Sequence, residues 1–95
     1  MVAIRRLVLD VLKPHEPSLL ELTKAVGNEE SVSSINASLY EIDEKVENIK
    51  VTVQGDDIDF EAVKQVIEEN AGSIHSVDEA VCGNEIIDAS ETPQD

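Results

Sequence analysis

The chain is poor in the residues that most often anchor a fold or a site. Its 95 residues include no Trp, one Tyr and one Phe. With so few rings the core has to be aliphatic, and the base-stacking platforms of nucleic-acid binders are excluded. A single cysteine, Cys82, allows neither an intramolecular disulfide nor a Cys-rich zinc site. No apolar run approaches the length of a membrane-spanning helix. The amino terminus, Met1-Val2-Ala3-Ile4-Arg5-Arg6, lacks the charged, apolar, then small layout of a signal peptide. The expectation is a cytoplasmic protein. Basic residues are also scarce: seven Lys and Arg stand against 21 Asp and Glu, a net charge of −14. Phosphate affinity comes from Lys and Arg displacing counterions, so nucleic acid is not an expected partner. Anionic membrane surfaces are disfavoured for the same reason.

What is present is strongly patterned. Residues 2–13 are rich in branched apolar side chains and stop at Pro14, as a central strand would. One face carries Leu7, Leu9 and Val11; the other carries Ile4, Arg6, Val8 and Asp10. Lys13-Pro14-His15-Glu16-Pro17 reads as a connection, since two prolines bar both a helix interior and a central strand. Ser18 and Glu21 match a capping box, followed by Leu19, Leu22 and Val26 at helical spacing. Residues 33–43 alternate as a half-buried strand through Ile35, Ala37 and Leu39. Ile49, Val51 and Val53 give a cleaner alternation up to Gly55. Asp59 can cap a second helix with Phe60, Val63, Val66 and Ile67 as its apolar stripe, and Gly72 reads as its left-handed stop. Residues 73–81 form a last strand whose imperfect pattern suggests a bulge.

The order β-α-β-β-α-β, with right-handed crossovers, predicts an α+β fold: a ferredoxin-like sandwich. Its four-stranded antiparallel sheet has the order 4-1-3-2, with both helices on one face. Ninety-five residues make one domain, expected over 1–83, with 84–95 as an acidic tail that is partly disordered or packed on a neighbour. The uncovered face should carry Arg6, Asp10, Asn36, Ser38, Tyr40, Lys50 and Thr52, with Ile4 and Val8 among them. Small domains with few large side chains often add buried surface by association, so a homo-oligomer is expected, with this face as its interface.

Two stretches could carry chemistry. In the expected topology the end of the first strand lies beside the start of the last. His15, Glu16 and Asp10 would then approach His75 and Asp78, a ligand set for a divalent cation. The plainer alternative is a solvated loop and a strand edge. Asp56, Asp57 and Asp59 superficially suggest a calcium loop, but the spacing of an EF-hand is missing. Ser31, Ser33 and Ser34 have no evident His partner, Cys82 sits in acidic surroundings, and no Gly-rich phosphate loop is present. The sequence therefore does not read as an enzyme.

The runs Ile4-Arg5-Arg6-Leu7-Val8-Leu9-Asp10-Val11-Leu12-Lys13-Pro14-His15-Glu16-Pro17, Tyr40-Glu41-Ile42-Asp43, Glu47-Asn48-Ile49-Lys50-Val51-Thr52 and Ile74-His75-Ser76-Val77-Asp78-Glu79 closely resemble the archaeal domain-of-unknown-function family 211. The resemblance covers about residues 4–83. It implies a ferredoxin-like fold, a homo-oligomer of ring-like form, and no established activity or cofactor. A small-ligand or cation-sensing module, with its site at the His15/His75 corner or a subunit interface, is the second reading. The charge is also uneven: residues 1–53 hold nine acidic and six basic side chains, while residues 54–95 hold 12 acidic ones and only Lys64. An archaeal relative with this much acid suggests a salt-loving host, where dense counterions shorten the screening length.

Overall fold

A computed structural model describes residues 2–88. Six elements follow one another: β1 (Ile4–Lys13), α1 (Leu19–Gly27), β2 (Ser34–Ile42), β3 (Glu47–Gln54), α2 (Phe60–Glu69) and β4 (Ser73–Cys82). The strands form one sheet in the order β2-β3-β1-β4, which is 4-1-3-2 read from the other edge, and every neighbouring pair is antiparallel. The expected α+β sandwich is the fold observed.

Period-two alternation decides which side of the sheet meets the helices. Leu7, Leu9 and Val11 of β1 stand opposite Val53, Val51 and Ile49 of β3, and all six are buried. Leu22 and Val26 of α1 and Val63 and Ile67 of α2 join the same cluster, so both helices cover one face. Each of these four is fully buried, a contribution of about 2 kcal/mol apiece in apolar transfer. The core is aliphatic, with Phe60 packed at its margin.

The helix ends follow their sequence signals, with one exception. Ser18 Oγ accepts from the Glu21 amide at 3.1 Å, and Glu21 Oε1 accepts from the Ser18 amide at 3.0 Å, completing the capping box. Asp59 Oδ1 accepts from the Ala62 amide at 3.1 Å. At the end of α2 the left-handed residue is Ala71, with φ 66°, and not Gly72. The Gly72 amide donates to the Ile67 carbonyl at 2.8 Å and the Ala71 amide to that of Glu68 at 3.1 Å, the paired bonds of a Schellman stop. Gly72 is needed for space: a Cβ there would lie 2.7 Å from Ile67 Cγ2 and 3.2 Å from Val11 Cγ1.

Register irregularities re-aim several side chains. One extra residue in β1, between Ile4 and Arg6, resets the alternation against β4. Ile4 consequently packs against the helix-side core, and not on the open face where strict alternation puts it. In β4 the extra residues are His75 and Asp78, and in β2 the extra residue is Tyr40. The suggestion of a bulge in the last strand is thus met twice. Lys13, read from sequence both as the end of the first strand and as the start of the connection, is the last residue of β1 and is only 1% exposed.

Beyond β4 the chain turns back along the start of β1. The Gly83 amide donates to the Ala3 carbonyl at 2.9 Å, and Arg5 Nη1 donates to the Asn84 carbonyl at 2.6 Å. Arg6 Nη2 donates to Asp88 Oδ1 at 3.1 Å. Residues 84–88 are thereby held against the domain by two arginines, and residues 89–95 of the acidic tail lie outside the described residues.

Candidate functional site

The exit of β1 holds a closely bonded polar group. Lys13 follows the helix-side alternation of Leu7, Leu9 and Val11, which carries its aliphatic stem beneath the core edge. Its Nζ donates to Glu47 Oε1 at 3.0 Å and to the Pro14 carbonyl at 2.7 Å. Glu47 stands directly opposite Lys13 in β3 and is itself mostly buried. Its second oxygen, Oε2, lies 3.0 Å from His15 Nδ1, while His15 Nε2 lies 3.0 Å from the Glu44 carbonyl. The imidazole therefore spans from the β1–α1 loop to the β2–β3 turn.

Both ring nitrogens of His15 face acceptors, which favours the imidazolium with two N–H donors. The hydrogen bond to Glu47 raises the His15 pKa above its ordinary value, assisted by the Glu44 carbonyl. The same contacts, from His15 first and Lys13 second, lower that of Glu47. The β2–β3 turn is tied down as well: Asp43 Oδ1 accepts from the Lys45 amide at 3.0 Å and the Val46 amide at 2.9 Å, and these bonds lower its pKa.

The sequence-based cation ligands are distributed differently from that expectation. The start of β4 does lie beside the end of β1, with Leu12 opposite Ser73. His15, however, reaches to the β3 side of β1, whereas His75 is an exposed extra residue of β4 on the other side. Glu16 is exposed in the loop. Asp10 and Asp78 are elsewhere, on the open face: Asp10 Oδ1 accepts from Tyr40 Oη at 2.7 Å, and Asp78 Oδ1 accepts from Ser76 Oγ at 2.7 Å. Among the described residues no group of three or more His, Cys, Asp or Glu side chains is arranged to hold a metal ion. The acidic loop before α2 is occupied with the chain itself: Asp59 caps the helix and Asp56 lies 3.7 Å from Arg5.

Sequence reasoning missed the Lys13–Glu47–His15 group because its members are 32 or more residues apart, or are separated by a proline that resembled a strand end. The signal that could have found it is the alternation itself, since Lys13 continues the inward series 7, 9, 11.

The open face bears the second notable arrangement. Val8, Asp10, Tyr40, Lys50, Asp78 and Glu79 line a shallow depression of about 410 Å³. Arg6 occupies Glu79 from one side, with Nη2 and Nε donating to Oε2 at 2.7 and 3.1 Å.

Comparison with known proteins gives the chain a family without giving it an activity. It is 44% identical over 95 residues to the uncharacterised protein MJ0319 of Methanocaldococcus jannaschii, a match spanning 100% of this chain and 98% of the relative. Residues 5–95 also match the model of domain-of-unknown-function family 211, described as uncharacterised ArCR. The chain belongs to domain-of-unknown-function family 211.

Proposed function

We propose that this protein is a self-associating interaction module, a homo-oligomer whose contact is built on the β2 end of the sheet. The observation that carries this reading is the exposure of large apolar side chains there. Leu39 is 43% exposed and Ile42 is 58% exposed, both on an edge strand with β3 on one side only. Leu20, in the first turn of α1, is 65% exposed at the same end of the molecule, where β1 ends and α1 begins.

The two sheet edges differ in a way that favours β2 as the contact. β4 is interrupted by two extra residues, His75 and Asp78, which blunt an edge against pairing. β2 has one extra residue, Tyr40, and runs without irregularity from Ser34 to Leu39. Charge supports the same end, because most of the net −14 falls after residue 53. The ring form implied by the family resemblance requires a head-to-tail contact, with the β2 end of one protomer on a different surface of the next, closing on itself. Repulsion between acidic copies weakens with ionic strength, so assembly should strengthen as salt is added. The exposed thiol of Cys82 suits a reducing compartment, consistent with a cytoplasmic location. No helix among the described residues is long and apolar enough to cross a membrane.

Light scattering on the eluting protein tests the proposal. Wild type at micromolar concentration and high salt should give a multiple of 10.4 kDa, and Ile42→Lys should shift it toward the monomer while leaving its circular dichroism unchanged. A wild-type mass of one protomer at every salt concentration would overturn it.

A further inference from the structure

The open-face depression has features that an ordinary solvated sheet does not require. Its floor is Val8, buried on the side of the sheet away from the helices and opposite Thr52 of β3. Two of its walls come from irregularities on opposite edges of the sheet. Tyr40 is the extra residue of β2, and its phenol reaches past β3 to donate to Asp10 on β1. Asp78 is the extra residue of β4, on the far side of β1. Extra residues of this kind re-aim side chains and gather beside functional sites. Here two of them bring groups from both edges toward the central pair Asp10 and Lys50, which stand opposite each other in β1 and β3.

The charges around this floor are specific. Glu79 pairs with Arg6 at 2.7 Å, an arginine it shares with Asp88 at 3.1 Å. That leaves Asp10, Asp78 and Lys50, two carboxylates and one ammonium, and among the described residues none of the three has an ion-pair partner within 4.0 Å. Asp10 is held in orientation by Tyr40 Oη and Asp78 by Ser76 Oγ, each at 2.7 Å. The depression is shallow, and its volume of about 410 Å³ falls in the size range of small-ligand sites.

We infer that the open face binds a small organic molecule carrying two cationic groups and one carboxylate, the chemistry of a basic amino acid. Its cations would lie against Asp10 and Asp78, its carboxylate against Lys50, and its methylene chain over Val8 and the Tyr40 ring. A simple amine leaves Lys50 unmatched and adds a like charge beside it. A neutral amino acid leaves one carboxylate unmatched. The site meets the oligomer reading at β2 only through Tyr40; Leu39 and Ile42, which carry that reading, do not line it.

Titration calorimetry on the full chain with three probes tests it: L-lysine, cadaverine and L-leucine. L-Lysine should bind saturably at one site per protomer, and the other two about ten-fold or more weakly, the loss of one charge-assisted contact each. Lys50→Gln should erase the preference for L-lysine over cadaverine, and Asp78→Asn should erase its preference over L-leucine. Both positions are exposed, so the variants should keep the wild-type circular dichroism. Absence of saturable L-lysine binding by folded wild type, equal affinity for cadaverine and L-lysine, or unchanged binding in both variants would each overturn the assignment.

Discussion

Replacing Glu47 by Ala should damage the fold more than a surface carboxylate has any reason to. Lys13 Nζ has two acceptors, Glu47 Oε1 at 3.0 Å and the neutral Pro14 carbonyl at 2.7 Å, and its side chain is fully removed from solvent. Among the described residues Glu47 is its only counter-charge within 4.0 Å. Removing one member of a buried pair leaves an uncompensated charge, a loss of about 3–5 kcal/mol. A domain of this length has a total stability of about 5–14 kcal/mol, so the variant should lose about a fifth or more of it. The expected fall in Tm is about 12 °C or greater. Urea melts of wild type and Glu47→Ala at matched protein concentration give the difference directly, and matching removes any contribution of association. The double variant Lys13→Met/Glu47→Leu removes both charges and should recover most of the loss, because an apolar replacement of a buried pair is close to neutral. A loss below about 1 kcal/mol in Glu47→Ala, the range of an exposed pair, would refute the reasoning. So would a double variant less stable than the single one.

Three further outcomes follow from the local geometry. Ala71→Gly relieves a left-handed alanine and should stabilise the protein by about 1 kcal/mol in the same melts; a destabilised variant would contradict the Schellman stop described for α2. Gly55→Ala drives a Cβ into the Ser31 carbonyl oxygen and to 3.1 Å from Ile58 Cγ1, and should cost about 1–3 kcal/mol by overpacking. The His15 bridge adds a pH dependence. Its folded pKa is raised above the ordinary 6.5 by Glu47 and the Glu44 carbonyl, so its contribution is fully present below about 6.5 and disappears as pH rises through the higher folded value. The Tm difference between wild type and His15→Gln should therefore shrink between mildly acidic and mildly alkaline pH; a difference constant over that interval would count against the bridge.

Most of the fold was legible because the sheet uses strict alternation and the helices are capped by their own sequence. Leu7, Leu9 and Val11 announce an inward face, and Ser18 with Glu21 announces the start of α1. The misreadings occur where a single residue changes the phase. Arg5, the extra residue of β1, turns Ile4 inward, and at the end of α2 the left-handed position falls on Ala71, one residue before the glycine that marks it in sequence. The polar groups were harder to read, because their partners depend on register and on side-chain direction. Topology correctly joins the end of β1 to the start of β4, yet it does not say that His15 reaches across to Glu47 on the opposite neighbour. Likewise, the approach of Tyr40 to Asp10 depends on an extra residue in β2 that has no marker in composition.

In the proposed oligomer the β2 end of the sheet is covered by another copy of the chain. Amide hydrogen exchange followed by mass spectrometry, at protein concentrations spanning the assembly transition, tests this most directly. Peptides covering residues 34–42 should gain protection as concentration and salt rise, while peptides covering 73–82 should change less. Equal exchange of residues 34–42 in the associated and dissociated protein, or protection confined to β4, would contradict it.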